Sequence, residues 1–169
     1  DDWRDEAWEI IRARRDVTFL ICTKRINRMS DCLPADWGDG YDNVKIAVSC
    51  ENQKRADERL PFLLDVPAKN KNVFVAPILE YVCLDKYLAS GQISSVSVGG
   101  ESYANARVCD FEWIKKIKLS CDKYGVKFDF HQTGSNFLMN GKHYKIKHRD
   151  EYGQAKKGSL YLNSLTDNR

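Results

Sequence analysis

Five apolar runs rich in β-branched residues constrain the fold of this chain more than any other feature of its sequence. Each run ends in a polar or glycine-containing cluster, and helix-like sequence follows it. The strand ends within these runs are 22 to 34 residues apart, at Thr23, Cys50, Ile78, Gly100 and Gly134. This spacing predicts successive β-α units with right-handed crossovers. The pattern indicates an α/β fold with five parallel strands and intervening helices. The runs are residues 17–25, 44–52, 72–78, 94–102 and 127–134.

Length and composition are those of an ordinary globular protein. The chain has 169 residues, of which 43% are apolar and 30% are charged. A chain of this length buries roughly two-thirds of its unfolded surface, so a substantial core is expected. No stretch approaches the roughly 20 apolar residues of a membrane helix, so we expect no membrane partner. The acidic, amphipathic start lacks the layout of a signal peptide, and a cytoplasmic location is therefore expected.

The cysteines form no recognisable ligand motif. Six are present, but no C-x-x-C pair or Cys/His cluster with zinc spacing occurs among them. The sequence therefore predicts no metal site. Cys22 and Cys50 end apolar strands, and Cys121 lies on the apolar stripe of a predicted helix. We interpret all three as buried, reduced thiols.

Helix signals occur before and between the strands. Asp110 is a candidate N-cap for a helix over residues 111–124, and Gly125 is well placed just after its end. Another helix follows Asn52, in which Pro61 predicts a break or kink near Arg59. Residues 137–144 and 158–162 alternate irregularly around the basic segment and predict a small β-rich or loop appendage at the carboxyl end. The first helix is expected to bury the face formed by Trp3, Ala7, Ile10 and Ile11.

Polar side chains cluster just beyond the predicted strand ends, where a parallel sheet assembles its binding site. Lys24 and Arg25 can hold a carboxylate or phosphate there, although they can equally begin a solvated loop. Glu51 can accept a proton or pair with either cation across neighbouring strands. The candidate substrate-binding residues are Lys24, Arg25, Ser49, Glu51, Asn52, Gly99, Gly100, Glu101, Ser102, Arg107 and His131.

Several of these candidates have a purely structural alternative. Asn52 can be only a helix cap. Gly99 and Gly100 allow a backbone to approach a ligand closely, yet they lack the spacing of a dinucleotide fingerprint or a P-loop. His131 can act as a base or ligand near neutral pH, or it can be a hydrogen-bonded core residue. No Ser-His-Asp or Cys-His signature occurs, so the sequence assigns no catalytic residue.

Positive charge is concentrated near the carboxyl end of the chain. Between residues 141 and 158, six cations face two carboxylates, whereas the rest of the chain is close to neutral. Such a segment can attract phosphate, or it can be a solvated surface hairpin. The candidate nucleic-acid contacts are Lys142, Lys145, Lys147, Arg149, Lys156 and Lys157.

Four segments together resemble a phage- and prophage-associated family of unknown function. They read LICTKRINRM, NVKIAVSCENQKRADERLPFLL, SVGGESYANARVCDFEWIKKI and GVKFDFHQTGSNF, and the resemblance extends over roughly residues 3–162. Full-length members of that family resemble radical S-adenosylmethionine enzymes. The resemblance implies a TIM-like β/α barrel, in which an amino-terminal three-cysteine loop binds a [4Fe-4S] cluster that acts with S-adenosylmethionine.

The sequence departs from this family pattern in two places. The C-x₃-C-x₂-C spacing is absent and the chain begins inside a predicted helix, so it resembles the later part of a barrel without a cofactor of its own. Ala76-Pro77 stands where the family usually has Glu-Pro, so one expected carboxylate is missing. We expect a partial TIM-like barrel over residues 1–138, a basic appendage over 139–169, and no catalysis by this segment alone.

The expected partners follow from the same interpretation. A barrel segment has unpaired strand edges, which favour pairing with another chain, so we expect either a fragment or a homodimer through such an edge. In the intact enzyme the strand-end residues would line the site of an unknown small-molecule substrate. The alternative is a nucleic-acid-binding module that uses the basic segment, with Tyr144 and Tyr152 stacking on bases.

Overall fold

A five-stranded parallel sheet forms the centre of the computed structural model, which describes residues 2–166. Its strands are β1 (Phe19–Thr23), β2 (Val44–Ser49), β3 (Lys71–Val75), β4 (Ile93–Gly99) and β6 (Lys127–Gln132). The short strand β5 (Cys109–Asp110) joins the hairpin of β7 (Asn136–Met139) and β8 (Lys142–Lys145) in a second, three-stranded sheet. The helices are α1 (Asp2–Ala13), α2 (Gln53–Asp65), α3 (Asp85–Leu88), α4 (Phe111–Lys123) and α5 (Glu151–Thr166).

The strands of the large sheet lie in the order β1-β2-β3-β4-β6, and every neighbouring pair is parallel. The predicted α/β fold with five parallel strands is therefore confirmed. Over residues 2–166 the sheet is open, so the predicted TIM-like barrel is not confirmed. None of the helices within these residues is long and apolar enough to cross a membrane.

The two faces of the parallel sheet differ in chemistry. Ile46, Val73 and Val96 alternate with their neighbours and point into the hydrophobic core, together with apolar residues of α2 and α4. The opposite side, here called the open face, carries the side chains between them, and its apolar members Leu20 and Phe74 take no part in the core. Two rows of paired residues cross the open face: Cys22, Ala47, Asn72, Ser95 and Lys127, then Ser49, Phe74, Ser97 and Asp129.

The open face also explains which cysteines are buried. Cys50 and Cys121 are buried and free, as predicted, and burial raises the pKa of each thiol to about 12. Cys22 is exposed, because it lies on the open face of β1, which pairs only with β2 within residues 2–166, whereas Ala47 in the same row is covered on both sides and buried. The prediction of a buried thiol was therefore wrong for Cys22.

Helix boundaries agree with the sequence signals, except at one proline. The side chain of Asn52 accepts the backbone N–H of Arg55, and that of Asp110 accepts the backbone N–H of Glu112, so both are N-caps. Gly125 has a φ of +66° just after α4, as expected of a helix terminator. The predicted break near Arg59 was wrong, because α2 continues through Pro61 to Asp65. Its buried Leu60 and Leu63 hold that turn against the core.

The buried face of α1 differs from the predicted one. Trp8 and Ile11 are buried, whereas Trp3 and Ile10 are exposed. Trp8 fixes the rotation of the helix, because its indole N–H donates to the carbonyl oxygen of Cys32 at 2.9 Å. Its ring also lies 5.4 Å from that of Trp37 between centroids.

The carboxyl end is more helical than predicted. The hairpin of β7 and β8 agrees with a β-rich segment, but residues 158–162 lie inside the sixteen-residue helix α5. Two glycines, poor helix formers, obscured the pattern. Gly158 allows α5 to approach the sheet, since a Cβ there would lie 3.2 Å from the ring of Phe130. The proposed division at residues 138 and 139 stays a prediction.

The strand β1 forms one margin of the large sheet. Within residues 2–166 it pairs only with β2, and its Leu20 is half-exposed. An apolar margin of this kind favours pairing with another strand. The homodimer through a strand edge stays a prediction.

An aromatic cluster joins the two sheets to α5, and its burial leads to a prediction about the stability of the fold. The ring of Phe111 is fully buried and lies 5.8 to 6.3 Å from the rings of Phe130, Phe137 and Tyr161. We expect Phe111→Ala to lower the free energy of unfolding by about 3–5 kcal/mol, because it opens a cavity in this cluster. The control Phe62→Ala removes a ring that is 47% exposed and should cost less than about 1 kcal/mol. If urea denaturation showed the same loss of unfolding free energy for both variants, the stabilising role of the cluster would be contradicted.

Candidate functional site

The carboxyl ends of the first two strands meet at Glu51. Its carboxylate accepts a hydrogen bond from Arg59 Nη1 at 2.9 Å and lies 3.5 Å from Lys24 Nζ. The same Arg59 nitrogen donates to the carbonyl oxygen of Ser49 at 2.6 Å, which fixes the guanidinium against the strand end. Burial alone raises the pKa of Glu51, but a backbone hydrogen bond and the charge of Arg59 offset it. The net result is a lowered pKa, so Glu51 is a carboxylate at neutral pH.

The loop after β4 places a second ion pair at the same edge. Glu101 Oε1 accepts from Arg107 Nη2 at 2.6 Å, and Oε2 accepts from Arg107 Nε at 2.9 Å. The backbone N–H of Arg107 also donates to Oε2 at 2.8 Å. These bonds lower the pKa of Glu101 to about 2. Glu51 contributes to the raised pKa of Arg107, so the two ion pairs influence each other electrostatically.

The two glycines after β4 serve the contact between strands. A Cβ on Gly99 would lie 2.5 Å from His131 Nε2, and one on Gly100 would overlap the carbonyl group of Thr133. Both positions therefore need glycine because β4 lies so close to β6 and to the turn that follows β6. This contact explains the two glycines without a bound ligand.

His131 lies on the open face and is largely buried. Its ring meets that of Phe74 edge to face, with 6.3 Å between centroids. Burial lowers the pKa of His131, and the charge of Asp129 only partly opposes this, so the imidazole is neutral at pH 7. Its Nδ1 is buried and has no hydrogen-bond partner within the described residues.

The remaining strand-end candidates are held by local structure. Ser49 donates to the carbonyl oxygen of Ala76 at 3.2 Å, and Asn52 caps α2. Ser102 donates to Glu151 at 2.6 Å. Arg25 is exposed. The structure thus pairs Lys24 with Glu51 and Arg107 with Glu101, whereas Ser49, Asn52 and Ser102 bind other partners.

The basic segment borders a groove. Lys142 and Lys145 lie on the exposed strand β8, and Lys147 and Arg149 follow it, whereas Lys156 and Lys157 lie on the exposed side of α5. The groove between the hairpin and α5 has a volume of about 860 Å³. Its lining combines Phe137, Met139, Tyr144 and Tyr161 with Lys145, Lys147 and Lys157.

One cluster at the edge was missed by the sequence reasoning. Glu151, at the start of α5, is buried and accepts hydrogen bonds from Ser102 and Ser135, both at 2.6 Å. His148 Nδ1 lies 3.3 Å from the same carboxylate, and His148 Nε2 lies 3.2 Å from the hydroxyl of Tyr103. No spacing in the sequence indicated this group, because Ser135 and Ser102 lie 16 and 49 residues before Glu151 along the chain.

A scan against known protein families matches residues 1–163 to the family described as Protein of unknown function (DUF5131). The chain belongs to this family. Searches of curated proteins and of solved structures gave no match. Membership in DUF5131 therefore assigns no activity, and a function has to be argued from the arrangement of the side chains.

In this DUF5131 chain the described residues contain no group of three or more His, Cys, Asp or Glu side chains that could hold a metal ion. The cysteines at 22, 32, 50, 83, 109 and 121 are all free thiols. Burial raises the pKa of Cys109, like those of Cys50 and Cys121, to about 12, so these three are poor sources of thiolate. A [4Fe-4S] cluster does not fit the residues from 2 to 166.

The pairing of Glu101 with Arg107 predicts a pH effect in this chain. Arg107→Ala should raise the pKa of Glu101 from about 2 toward its ordinary value of 4.5, because two charged hydrogen bonds are lost. A lowered folded-state pKa stabilises the fold above pH 4.5, and this contribution disappears as the pH falls toward 2. The stability difference between wild type and variant should therefore shrink over that interval.

A carbon-13 titration of the Glu101 carboxyl group measures the shift directly. The control Arg14→Ala breaks a separate exposed pair with Asp16 and should leave the Glu101 titration unchanged. An Arg107→Ala protein in which Glu101 still titrates near pH 2 would disprove the assigned cause.

Proposed function

We propose that this chain supplies the substrate-binding edge of a β/α-barrel enzyme of radical S-adenosylmethionine type, and that an anionic group of the substrate binds there between Lys24, Arg25 and Arg107. The observation that carries the proposal is that Lys24 and Arg59 both contact Glu51 at the carboxyl ends of β1 and β2, while the loop after β4 holds the Glu101–Arg107 pair at the same edge of the sheet. The chain alone is expected to bind without catalysing a reaction. The phage association implied by the resemblance stays a prediction.

The strand order supports the barrel part of the proposal. Each strand of the large sheet pairs with the next parallel strand along the chain, whereas doubly wound sheets reverse direction at a switch point. An unreversed, all-parallel order is that of a β/α barrel. The polar rows of the open face would then face the interior of the barrel. Asn72 Nδ2 and His131 Nδ1 are buried on this face without partners among the described residues, as expected of groups that need further polar contacts.

The balance of charge at the edge supports an anionic group. Four cations follow or contact the strand ends beside Glu51 and Glu101. The third carboxylate at this edge, Glu151, is buried and accepts from Ser102 and Ser135 instead. Lys24 is more than half exposed, and its contact with Glu51 is long at 3.5 Å, so its ammonium group can turn to a ligand. An Arg and a Lys together provide a planar fork and a mobile point charge for a phosphate or carboxylate. The four cations are Lys24, Arg25, Arg59 and Arg107.

The residues present do not supply the radical chemistry. Because a [4Fe-4S] cluster does not fit residues 2–166, we assign no step to it or to S-adenosylmethionine. What this chain contributes under the proposal is the recognition and orientation of the substrate by its strand-end residues.

Titration of the labelled protein with inorganic phosphate, and separately with acetate, tests the proposed binding. In nuclear magnetic resonance spectra, the backbone and side-chain chemical shifts of Lys24, Arg25 and Arg107 should change. The double variant Lys24→Ala/Arg25→Ala should weaken the affinity about tenfold or more, because charged hydrogen bonds contribute about 1.5–3 kcal/mol each. The matched control Lys69→Ala removes a cation that pairs with Asp42 before β3 and should bind like wild type.

The comparison of the two probes separates phosphate from carboxylate recognition. Chemical-shift changes spread evenly over all surface cations would overturn the proposal. An equal loss of affinity in the double variant and in Lys69→Ala would overturn it as well.

A second candidate function is nucleic-acid binding by the basic segment, and the groove beside α5 favours it. Tyr144 and Tyr161 are partly exposed in this groove, and Lys145, Lys147 and Lys157 line it. Aromatic faces and cations in one groove are the combination that holds single-stranded nucleic acid. Tyr152, the other proposed stacking residue, is exposed on α5, but it does not line this groove.

Salt-dependent binding of a single-stranded oligonucleotide tests this candidate. The triple variant Lys145→Ala/Lys147→Ala/Arg149→Ala should lower the affinity and reduce the slope of log affinity against log salt by about 2, since each phosphate contact contributes roughly 0.7. The control Lys54→Ala removes an exposed cation of α2 and should change neither value appreciably. Unchanged binding by the triple variant would exclude this use of the segment.

A further inference from the structure

We propose that Tyr103 is a nucleophile, that His148 is the base which takes its proton, and that Glu151 positions His148. The electrophile that fits this site is a phosphate ester. The proposal goes beyond substrate binding at the strand ends, because it assigns covalent chemistry to residues outside the set around Glu51. It rests on an unbroken series of contacts from a buried carboxylate to an exposed phenol.

The buried end of the series is Glu151. Its side chain is only 2% exposed, and within the described residues the imidazole of His148 is the basic side chain that contacts it. Oε1 accepts from Ser135, whereas Oε2 accepts from Ser102 and faces His148 Nδ1. Its position in the first turn of α5 is favourable for negative charge, because the N-terminal end of a helix dipole is positive. Glu151 is therefore a fixed acceptor for a proton on His148 Nδ1.

The tautomer of His148 follows from that contact. A carboxylate at Nδ1 holds the ring proton there and leaves the lone pair on Nε2. Nε2 is the atom that lies 3.2 Å from the hydroxyl of Tyr103, so it can accept the phenolic proton. The two rings also pack against each other, with 4.5 Å between centroids and a tilt of 34°. Tyr103, His148 and Glu151 are thus arranged as nucleophile, base and orienting group, which is the arrangement that activates a nucleophile.

The backbone at Tyr103 is held in an unusual conformation. Its φ is +75°, in the left-handed region that a bulky L-residue rarely adopts because of steric strain. The backbone N–H of Tyr103 donates to Ser135 Oγ at 2.9 Å, and Ser135 donates in turn to Glu151. The carboxylate therefore positions both the base and the backbone of the nucleophile. The phenol remains accessible, since Tyr103 is 69% exposed.

The charge of the neighbouring segment selects the electrophile. Lys147 and Arg149 flank His148 in the chain and are exposed, and Arg107 lies in the same loop as Tyr103. These cations favour an anionic ester over a neutral one. In the proposed step the phenol oxygen forms a bond to phosphorus while the phenolic proton passes to His148. The bond from phosphorus to the leaving oxygen then breaks, and that oxygen takes the proton from His148 as an alcohol.

Labelling with an alkyl fluorophosphonate tests the proposal without a known substrate. The O–P bond forms, the P–F bond breaks, and fluoride leaves while His148 accepts the phenolic proton. Peptide mapping by mass spectrometry should find Tyr103 labelled at least tenfold faster than Tyr152. Tyr152 is a matched control, because it is 58% exposed and has Lys156 at 4.6 Å from its ring centroid, but no histidine base contacts it among the described residues.

Variants of His148 and Glu151 separate a loss of Tyr103 activation from a loss of the fold. His148→Gln should slow labelling of Tyr103 about tenfold or more without changing that of Tyr152, because general-base assistance is lost. Glu151→Gln should slow labelling as well, and thermal denaturation of both variants reports any loss of fold. Lys24→Ala/Arg25→Ala should label like wild type, so failure of the strand-end proposal and failure of this one are distinguishable. Equal rates for Tyr103 and Tyr152, or an unchanged rate in folded His148→Gln, would overturn the proposal.

Discussion

A one-sided hydrophobic core is the constraint on which the rest of this structure depends. Along every strand of the parallel sheet, alternate side chains enter the core and the others form the open face. Parallel sheets are usually apolar on both faces, because both are covered. Here the open face carries Asn72, Ser95, Ser97 and Asp129 across three strands, so the alternation leaves one side of the sheet polar. The polar strand ends continue the open face, and this places the side chains around Glu51.

The junction between β4 and β6 determines how the later loops are arranged. A Cβ on Gly134, whose φ is +73°, would lie 2.6 Å from the carbonyl oxygen of Glu101. The two turns therefore touch through their backbones, and glycine is required on both sides of the contact. This contact brings Ser102 and Ser135 within hydrogen-bond distance of the same carboxylate, although 33 residues separate them. Gly99 and Gly100, which the sequence offered as positions where a ligand can approach the backbone, lie in this contact and thereby help to position Ser102 and Ser135 at Glu151.

The parts of the structure that the sequence predicted well are those with local causes. The strands and the caps at Asn52 and Asp110 depend on neighbours a few residues away, so their patterns are visible in the chain. Cys22 was misjudged because nothing local shows which face of a strand will lack a core. The helix α5 was missed because its packing against Phe111 and Phe130 overrides the weak helix propensity of its glycines. The cluster around Glu151 depends entirely on such tertiary contacts.

The three carboxylates at this edge differ in what neutralises them, and this difference separates recognition from chemistry. Glu51 and Glu101 are paired with guanidinium groups, which are always charged, so their negative charge is already compensated. Glu151 is buried against two hydroxyls and one imidazole. When His148 takes a proton, the new positive charge lies 3.3 Å from a carboxylate that is only 2% exposed, although the imidazole itself is 56% exposed. Burial of the carboxylate strengthens this attraction. Glu151 is therefore the carboxylate of the three that can favour proton transfer from Tyr103, whereas the other two can only orient cations toward a ligand.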